Sequence, residues 1–517
     1  KIDTSGMMMT LGHNNDKVDS VDDDENVVAD NNGDENGDER VENGDERMVV
    51  APTPQTGYGH RLLILDLSRL LIDDDELLYM LKCCPLVHTL QLSRCTKLSP
   101  TIFYKLSIHV DSIKTLRLPE SKSYQKNYSF VEWIETQHRH KTSSVVQRSD
   151  NGDTGSNSSG GSNLPKIRMH LNSLSIAMFH GALDDTFIQY VRMEPSLQSI
   201  TINFEGMPVT SFAVPGFVSS SIRDITCINY LSHQPLEDSL VTMFPNLHQL
   251  SIVSDNDPYN FHSNSPISSQ LFQSLEQLEH MSEMEFFGGR VRPEPLMQAL
   301  KTMNHLTKLT SVSQQLSDPG EFDFESMEHL LPTIRTIALG NYLYRNVHKL
   351  QMARSLTSLT LDSSGSGVFN GEELGAALGA LAPHLVHLLL GACTVHNHPP
   401  FVDAFSRFQR LEMIDLRSCR LGSEVIDELV QNIADNANLA LSLKELHLCS
   451  SEVSSTEHLV LLVRRFLSIR CINISHSKIE DDSVLRELCD RKRVLLINIQ
   501  SGHGAWIVVR SSRKLYL

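Results

Sequence analysis

Two histidine pairs and one glycine-rich stretch are the parts of this sequence whose residue types could support chemistry. His138 and His140 stand two residues apart, as do His396 and His398, a spacing that metal ligands can have. Neither pair has a cysteine or carboxylate at ligand spacing, so we interpret all four as loop histidines. The stretch from Gly365 to Gly371 follows a strand pattern, but its third glycine comes one residue too late for a phosphate-binding loop. We interpret it as a connector.

Motifs of common enzymes are absent from the sequence. It contains no G-x-x-x-x-G-K-[ST], no H-E-x-x-H and no G-x-S-x-G. Asp30, Asn32 and Asp34 have the alternating spacing of a calcium loop, but Glu35 occupies the position that must be glycine. We therefore expect no catalytic residue, no metal and no cofactor, and we predict that the chain is not an enzyme.

The charge of the chain is concentrated at its beginning. The net charge is −18, and residues 1–50 hold 15 acidic against 4 basic residues, which gives −11 there and −7 for the remainder. A nearly neutral body offers no electrostatic surface for nucleic acid or anionic lipid. No run reaches the roughly 18 apolar residues that cross a bilayer. We expect no nucleic-acid partner and no membrane partner.

The cysteines indicate a reducing compartment. Nine cysteines include no C-x-x-C pair, and Cys83 and Cys84 are adjacent. This pattern is typical of reduced, buried thiols rather than of a disulfide framework. We expect a cytoplasmic or nuclear protein.

A recurring apolar pattern sets the organisation of the chain. From Leu62 to Cys95, apolar residues stand at positions i, i+3 and i+5, and the same spacing begins again at Val87, 25 residues later. The alternation predicts a short strand with one buried face, and the residues from Asp75 to Lys82 predict a helix with an inward apolar side. Neither half has a core of its own, so neighbouring copies must supply it, as in leucine-rich repeats.

The pattern recurs sixteen times, and nine of the fifteen intervals are 25 or 26 residues long. The first apolar residues of the repeats are Leu62, Val87, Ile113, Leu171, Leu197, Ile222, Leu247, Met281, Leu306, Ile334, Leu356, Leu385, Leu411, Leu443, Ile469 and Val494. The repeats that begin at Met281 and Leu306 fit the pattern least well. Equivalent strands joined by connections of about twenty residues must run parallel. The predicted fold is α/β: a curved leucine-rich-repeat solenoid with a parallel concave sheet, outer helices and about 16 repeats of roughly 25–26 residues.

Three segments do not follow the repeat. Residues 1–60 are acidic and rich in glycine, so we predict a disordered tail there. The solenoid is expected over residues 61–501, with an insertion at 120–168 whose composition predicts flexibility at 141–166. Residues 502–517 end in apolar residues and are predicted to form a C-terminal cap.

The second repeat resembles the cysteine-containing class of leucine-rich repeats. Cys84 and Pro85 precede its strand and Cys95 follows it, while Cys393 and Cys419 occupy the same position after later strands. A small, partly polar side chain at this sharp turn can pack under the neighbouring coil and bond to its backbone. Repeats of this class are found in F-box proteins and in ribonuclease-inhibitor-like proteins.

The resemblance to F-box leucine-rich-repeat proteins implies a function. In that family the repeats bind the protein to be ubiquitinated, and the F-box binds a Skp1-type adaptor of a cullin-based ligase. Residues 1–60 lack an F-box pattern, so we expect the F-box that the resemblance implies to lie upstream of Lys1. The alternatives are a free-standing repeat scaffold or inhibitor and, third, an activator of a small GTPase, because Ran GTPase-activating proteins share the broad repeat class.

Polar side chains on the inner face of the sheet are the candidate partner-binding residues. Side chains between and just after the two strand leucines point away from the core, where a protein partner can reach them. Charged and aromatic anchors usually dominate binding, so the two ends are favoured over the middle, which offers small residues such as Ser175, Thr201, Thr226 and Ser251. The candidates are Asp66, Arg69, Gln91, Arg94, Arg117, Asp415, Arg417, Glu445, His447, Asn473 and His476.

Overall fold

The computed structural model describes the repeats at both ends of the chain and between them. The described residues are 8–10, 62–68, 70–92, 95, 97–99, 102, 105–106, 112–117, 171–177, 191, 194–203, 217–228, 237–254, 267–288, 291–313, 320–449, 453, 456–475 and 482–497. The chain forms two units, Lys1–Leu171 and Asn172–Leu517.

The first unit contains a parallel sheet. Its strands are β1 (Met8–Thr10), β2 (Ile64–Asp66), β3 (Thr89–Gln91) and β4 (Thr115–Arg117), and each pairs with the next. Leu65, Leu90 and Leu116 lie in register and are buried. The repeat period therefore aligns equivalent leucines in one buried row.

Helix α1 (Asp74–Cys83) connects β2 to β3 and begins where the sequence supplies a capping box. Glu76 N–H donates to Asp73 Oδ1 at 2.9 Å, and Asp73 N–H donates to Glu76 Oε2 at 3.1 Å. The two side chains satisfy backbone donors that a helix N-terminus leaves free. The predicted inward side of the helix is confirmed, because Leu77, Leu78 and Leu81 are buried.

The second unit contains a longer parallel sheet in which sequential strands are neighbours. Its strands are β5 (Ser173–Ala177), β6 (Ser199–Asn203), β7 (Asp224–Ile228), β8 (Gln249–Val253), β9 (Glu283–Gly288), β10 (Lys308–Ser313), β12 (Thr336–Gly340), β14 (Ser358–Asn370), β15 (His387–His396), β16 (Met413–Asp415), β17 (Glu445–His447), β18 (Cys471–Asn473) and β19 (Leu495–Ile497). A separate parallel pair consists of β11 (Glu321–Asp323) and β13 (Leu343–Arg345).

Helices fill many of the connections in the second unit. They are α2 (Glu237–Met243), α3 (Ser269–Leu275), α4 (Pro293–Leu300), α5 (Gly371–Leu381), α6 (His398–Ala404), α7 (Ser423–Asp435), α8 (Leu439–Ser442), α9 (Glu457–Arg465) and α10 (Ser483–Lys492), with 3₁₀ turns at Phe324–Met327, Val347–Met352 and Phe405–Arg407. The α/β class, the parallel sheet and the leucine-rich-repeat architecture are thus confirmed.

The repeat that begins at Leu306 fits the pattern poorly because Ser311 stands where an apolar residue is expected. Ser311 is fully buried, and its hydroxyl lies 2.7 Å from the hydroxyl of Tyr342. Tyr342 O–H also donates to the carbonyl of Val291 at 3.2 Å. A buried hydroxyl needs such partners, and Tyr342 supplies one from a later coil.

The last repeat is displaced by one residue from its predicted register. The sequence pattern that begins at Val494 aligns Ile497 with Ile472, whereas the structure pairs Leu496 with Ile472. Side chains in β19 are only half-buried, so the apolar pattern constrains this strand weakly.

Several expectations concern residues outside the described ranges. They are the acidic tail at 1–60 apart from β1, the insertion at 120–168 with its flexible part, and the cap at 502–517. Within the described part of the chain, no helix has both the length and the hydropathy needed to cross a membrane.

Candidate functional site

The sheet of each unit has a buried face and an opposite face, which we call the open face. Buried and half-buried residues alternate along β6 and β7, for example, because successive side chains of a strand point to opposite sides. Open-face side chains of neighbouring strands are about 4.8 Å apart. Candidate residues that are distant in sequence can therefore form one surface.

In the first unit the structure brings three candidate residues into one row. Asp66, Gln91 and Arg117 are cross-strand partners on β2, β3 and β4. Gln91 and Arg117 are half-buried, and Asp66 is buried with its Oδ1 accepting a hydrogen bond from Ser68 N–H at 3.0 Å. The candidates Arg69 and Arg94 lie outside the described residues.

The second unit has a polar patch, which comprises Asp415, Glu445, His447 and Asn473 on β16, β17 and β18 together with Arg417, two residues after β16. Asp415, His447 and Asn473 are cross-strand partners, and Glu445 lies two residues before His447 on the same face. Nε2 of His447 is 3.5 Å from Oε2 of Glu445. The remaining candidate at this end, His476, lies outside the described residues.

An ion pair anchors one side of the polar patch. Asp415 is only 1% exposed, and Arg417 Nε lies 3.1 Å and 2.9 Å from its two carboxylate oxygens. The hydrogen bonds to Asp415 raise the pKa of the Arg417 guanidinium. The Arg417 side chain is still 54% exposed, so one part of it holds the buried carboxylate and the rest faces solvent.

Three candidate residues have a structural role as well. Asp415 Oδ1 accepts from Arg417 N–H at 3.1 Å, and Asn473 Oδ1 accepts from Ser475 N–H at 3.1 Å, as Asp66 does from Ser68. Each side chain thereby closes the turn that follows its strand, a common use of Asp and Asn. The polar pattern that we interpreted as a binding surface is partly a pattern of turn formation.

The cysteines after the strands hold adjacent coils together. Cys95 Sγ donates to the carbonyl of Leu67 at 3.1 Å, and Cys419 Sγ donates to the carbonyl of Leu390 at 3.0 Å. Cys393, predicted to follow its strand, lies within β15; it and Cys419 are buried, with their sulfurs 3.3 Å apart. The expected contact between this thiol and a neighbouring backbone is present at both positions.

Thiol chemistry is not favoured where the cysteines are buried. Burial raises the pKa of Cys227 to about 12 and that of Cys471 to about 12, so both are neutral thiols at physiological pH. Among the residues that the structure describes, no group of three or more His, Cys, Asp and Glu side chains is arranged to hold a metal ion.

The open face of the second unit also carries an apolar row that was not predicted from the sequence. Ile228, Val253, Phe287 and Val312 are cross-strand partners on β7, β8, β9 and β10. We call these four residues the apolar ridge. Each stands six residues after the first apolar residue of its repeat, so the signal was present in the sequence. The candidate residues chosen from the sequence were all polar, so this row, including the aromatic Phe287, was not among them.

Solved structures similar to this chain include leucine-rich-repeat proteins. No family model and no curated protein matches the chain. A leucine-rich-repeat protein of Leptospira interrogans is 13% identical, with a TM-score of 0.43 over 85% of this chain and 96% of that chain. TLR13, solved in complex with single-stranded RNA, is 13% identical, with a TM-score of 0.40 over 82% of this chain and 61% of TLR13.

A third solved structure is the yeast complex of Rad7 and Elc1. The matched chain is 16% identical, with a TM-score of 0.33 over 61% of this chain and 82% of that chain. All three similarities concern the fold alone.

Proposed function

We propose that this chain is a non-enzymatic scaffold that binds a protein partner through the open face of its sheet. The observation that carries the proposal is the polar patch. Its strands are paired on both sides, so the backbone is already hydrogen-bonded and side chains must make the contacts. Arg417 and Glu445 are about half exposed and stand on neighbouring coils.

The patch suits a protein partner with mixed charge. Arg417 presents a guanidinium that the buried Asp415 already orients, so little side-chain entropy is lost when it binds a carboxylate. Glu445 presents a carboxylate on the next coil. Complementary charges on a partner would fix its register on the sheet and exclude other proteins. The equivalent surface of the first unit is the row Asp66, Gln91 and Arg117.

A charge reversal with a matched control tests the scaffold function. Glu445→Lys changes the open face, whereas Glu428→Lys makes the same change at an exposed position on α7. We expect proteins that co-purify with the wild-type chain to be lost with Glu445→Lys and kept with Glu428→Lys, as measured by quantitative mass spectrometry. Both variants should melt at the wild-type temperature. Identical partner sets for all three proteins would contradict the proposal.

We further propose that the scaffold is the substrate-recognition part of an F-box-type ubiquitin ligase. The support is the resemblance of the repeat around Cys84, Pro85 and Cys95 to the repeats of F-box proteins, together with the thiol contact at Leu67. The full gene product should co-elute with a Skp1-type adaptor when the two are co-expressed. The partner lost with Glu445→Lys should then be ubiquitinated by the assembled ligase. Separate elution would favour a free-standing scaffold.

A further inference from the structure

The apolar ridge is an exposed feature that the polar patch does not explain. Phe287 is 38% exposed, and Ile228, Val253 and Val312 are half-buried. All four are at the carboxyl ends of consecutive strands in the second unit. At the strand spacing of about 4.8 Å they form a continuous apolar line about 14 Å long.

Mostly short side chains flank the ridge on the side toward the amino ends of the strands. The residues two positions earlier on the same strands are Thr226, Ser251, Glu285 and Thr310. Three of them have short side chains, and Ser251 and Thr310 are buried. On the next strand, the cross-strand partner of Val312 is Gly340. Any larger residue at position 340 would bring its Cβ within 3.2 Å of Val312 Cγ1. The glycine therefore leaves the flank of Val312 uncrowded.

The strand pairing limits what can bind there. Each of β7, β8, β9 and β10 is hydrogen-bonded to a strand on both sides, so a partner cannot add a strand at this place. Along an amphipathic helix, side chains at i, i+3 and i+4 are about 5–6 Å apart, which is close to the spacing of the ridge. Alternate side chains of an extended peptide are about 6.6–6.8 Å apart and fit less well.

Acidic groups stand on the open face two to four residues before the ridge: Glu285 is two residues before Phe287, whereas Asp224 and Glu283 are four residues, about 13 Å, before Ile228 and Phe287. Asp224, Glu283 and Glu285 lie on the open face of β7 and β9, and Lys308 on β10 contacts both glutamates. This part of the open face thus has three carboxylates and one ammonium group, a net negative charge. The balance stays negative when Arg223, the exposed residue before β7, is included. A partner with basic groups beside its apolar stripe complements this surface.

We propose that the apolar ridge is a docking surface for an amphipathic helix of a partner protein, whose apolar stripe covers Ile228, Val253, Phe287 and Val312 and whose Lys or Arg residues face Asp224, Glu283 and Glu285. This inference rests on the scaffold function and adds a second contact surface and a class of partner. A second copy of this chain fits poorly, because two ridges in contact would bring like charges together.

Two synthetic helical peptides test the proposal on the full chain. Both carry leucines at i, i+3, i+4 and i+7; one has lysines beside the leucine stripe and the other has glutamates. Fluorescence anisotropy should show that the lysine peptide binds at least about tenfold more tightly, because the glutamate peptide meets like charges. Equal affinities, or no binding of the lysine peptide, would overturn the proposal.

Variants of the ridge locate the binding site. Phe287→Ser and Val253→Ser should each lower the affinity of the chain for the lysine peptide about tenfold, as expected for an apolar anchor. Val484→Ser is the control, because Val484 is 56% exposed on α10. Unchanged affinity in both ridge variants would overturn the proposal. It would also be overturned if the wild-type chain sediments as a dimer and Phe287→Ser sediments as a monomer, because a second copy would then cover the ridge. Glu445→Lys should bind the peptide normally, which separates a failure of the ridge from a failure of the polar patch.

Discussion

The polar patch and the apolar ridge lie on the open face of the same sheet, but their side chains are engaged very differently. In the patch, Asp415 is buried and bonds to the backbone and side chain of Arg417, and Asn473 closes the turn after β18. In the ridge, Phe287 on β9 is 38% exposed, and its side chain has no polar atom that could bond to a turn. Polar residues that the sequence suggests as partner-binding residues are therefore partly engaged in hydrogen bonds within the chain itself.

This difference separates stability from binding. A polar side chain that satisfies a buried backbone group contributes to folding whether or not a partner binds. An apolar side chain held half-exposed gains its main contact only when a partner covers it. The two surfaces should therefore respond in opposite ways to substitution.

The largest expected effect is on the free energy of unfolding when Asp415 is removed. Asp415→Ala leaves Arg417 N–H without its acceptor and breaks the ion pair, which should cost about 1–3 kcal/mol. Phe287→Ser should cost clearly less, because its side chain already faces solvent in part. Urea denaturation measures both. Asp415→Asn keeps an acceptor, so its unfolding free energy should lie between those of wild type and Asp415→Ala. Equal losses for Asp415→Ala and Phe287→Ser would contradict the proposed difference between the patch and the ridge.

A smaller effect distinguishes two polar residues within the patch. Asn473→Ala removes the acceptor for Ser475 N–H and should lower the unfolding free energy by about 1 kcal/mol. Glu445→Gln changes a carboxylate that is about half exposed and lies 3.5 Å from His447, so it should stay within about 0.5 kcal/mol of wild type. Thermal melts of the two variants compare them directly. If Glu445→Gln lowers the unfolding free energy as much as Asn473→Ala does, the Glu445 carboxylate stabilises the fold and is not available as an anchor for a partner.

The smallest effect concerns Asp224, which lies four residues before the ridge residue Ile228 on β7, and it depends on pH. Burial raises the pKa of Asp224 in the folded chain, while His248 and Arg223 oppose the shift. The folded state therefore binds this proton more tightly than the unfolded state, and the associated stability is lost as pH rises through the folded pKa. Asp224→Asn should raise the melting temperature at neutral pH and leave it unchanged at a pH below the ordinary pKa of aspartate. A lower melting temperature at neutral pH would mean that attraction to Arg223 and His248 outweighs burial.

Much of the fold could be predicted because its signal is local. The spacing i, i+3 and i+5 located the strands, including those after Met281 and Leu306, where the pattern was weakest. The post-strand position of Cys95 predicted its bond to a neighbouring coil, which Leu67 accepts. The partner of Ser311 could not be predicted, because Tyr342 belongs to a different coil and has no fixed spacing from it.

The candidate site was less predictable for the same physical reason. Residue type indicated that Asp415 and Asn473 are polar and follow a buried strand position, but not that each bonds to the backbone two residues later. In the ridge, Val253 and Phe287 are 34 residues apart, and only the pairing of β8 with β9 makes them neighbours. Their common repeat position was readable, whereas their partial exposure was not.

The sequence by itself determined which leucines of the strands are buried, since a period of two along each strand and a period of about 25 along the chain place them on one face. The tertiary structure alone decided which open-face side chains remain available. Availability depends on what neighbouring coils and turns already bind, and Asp415 and Phe287 differ in that respect because one is held by its own turn while the other faces solvent.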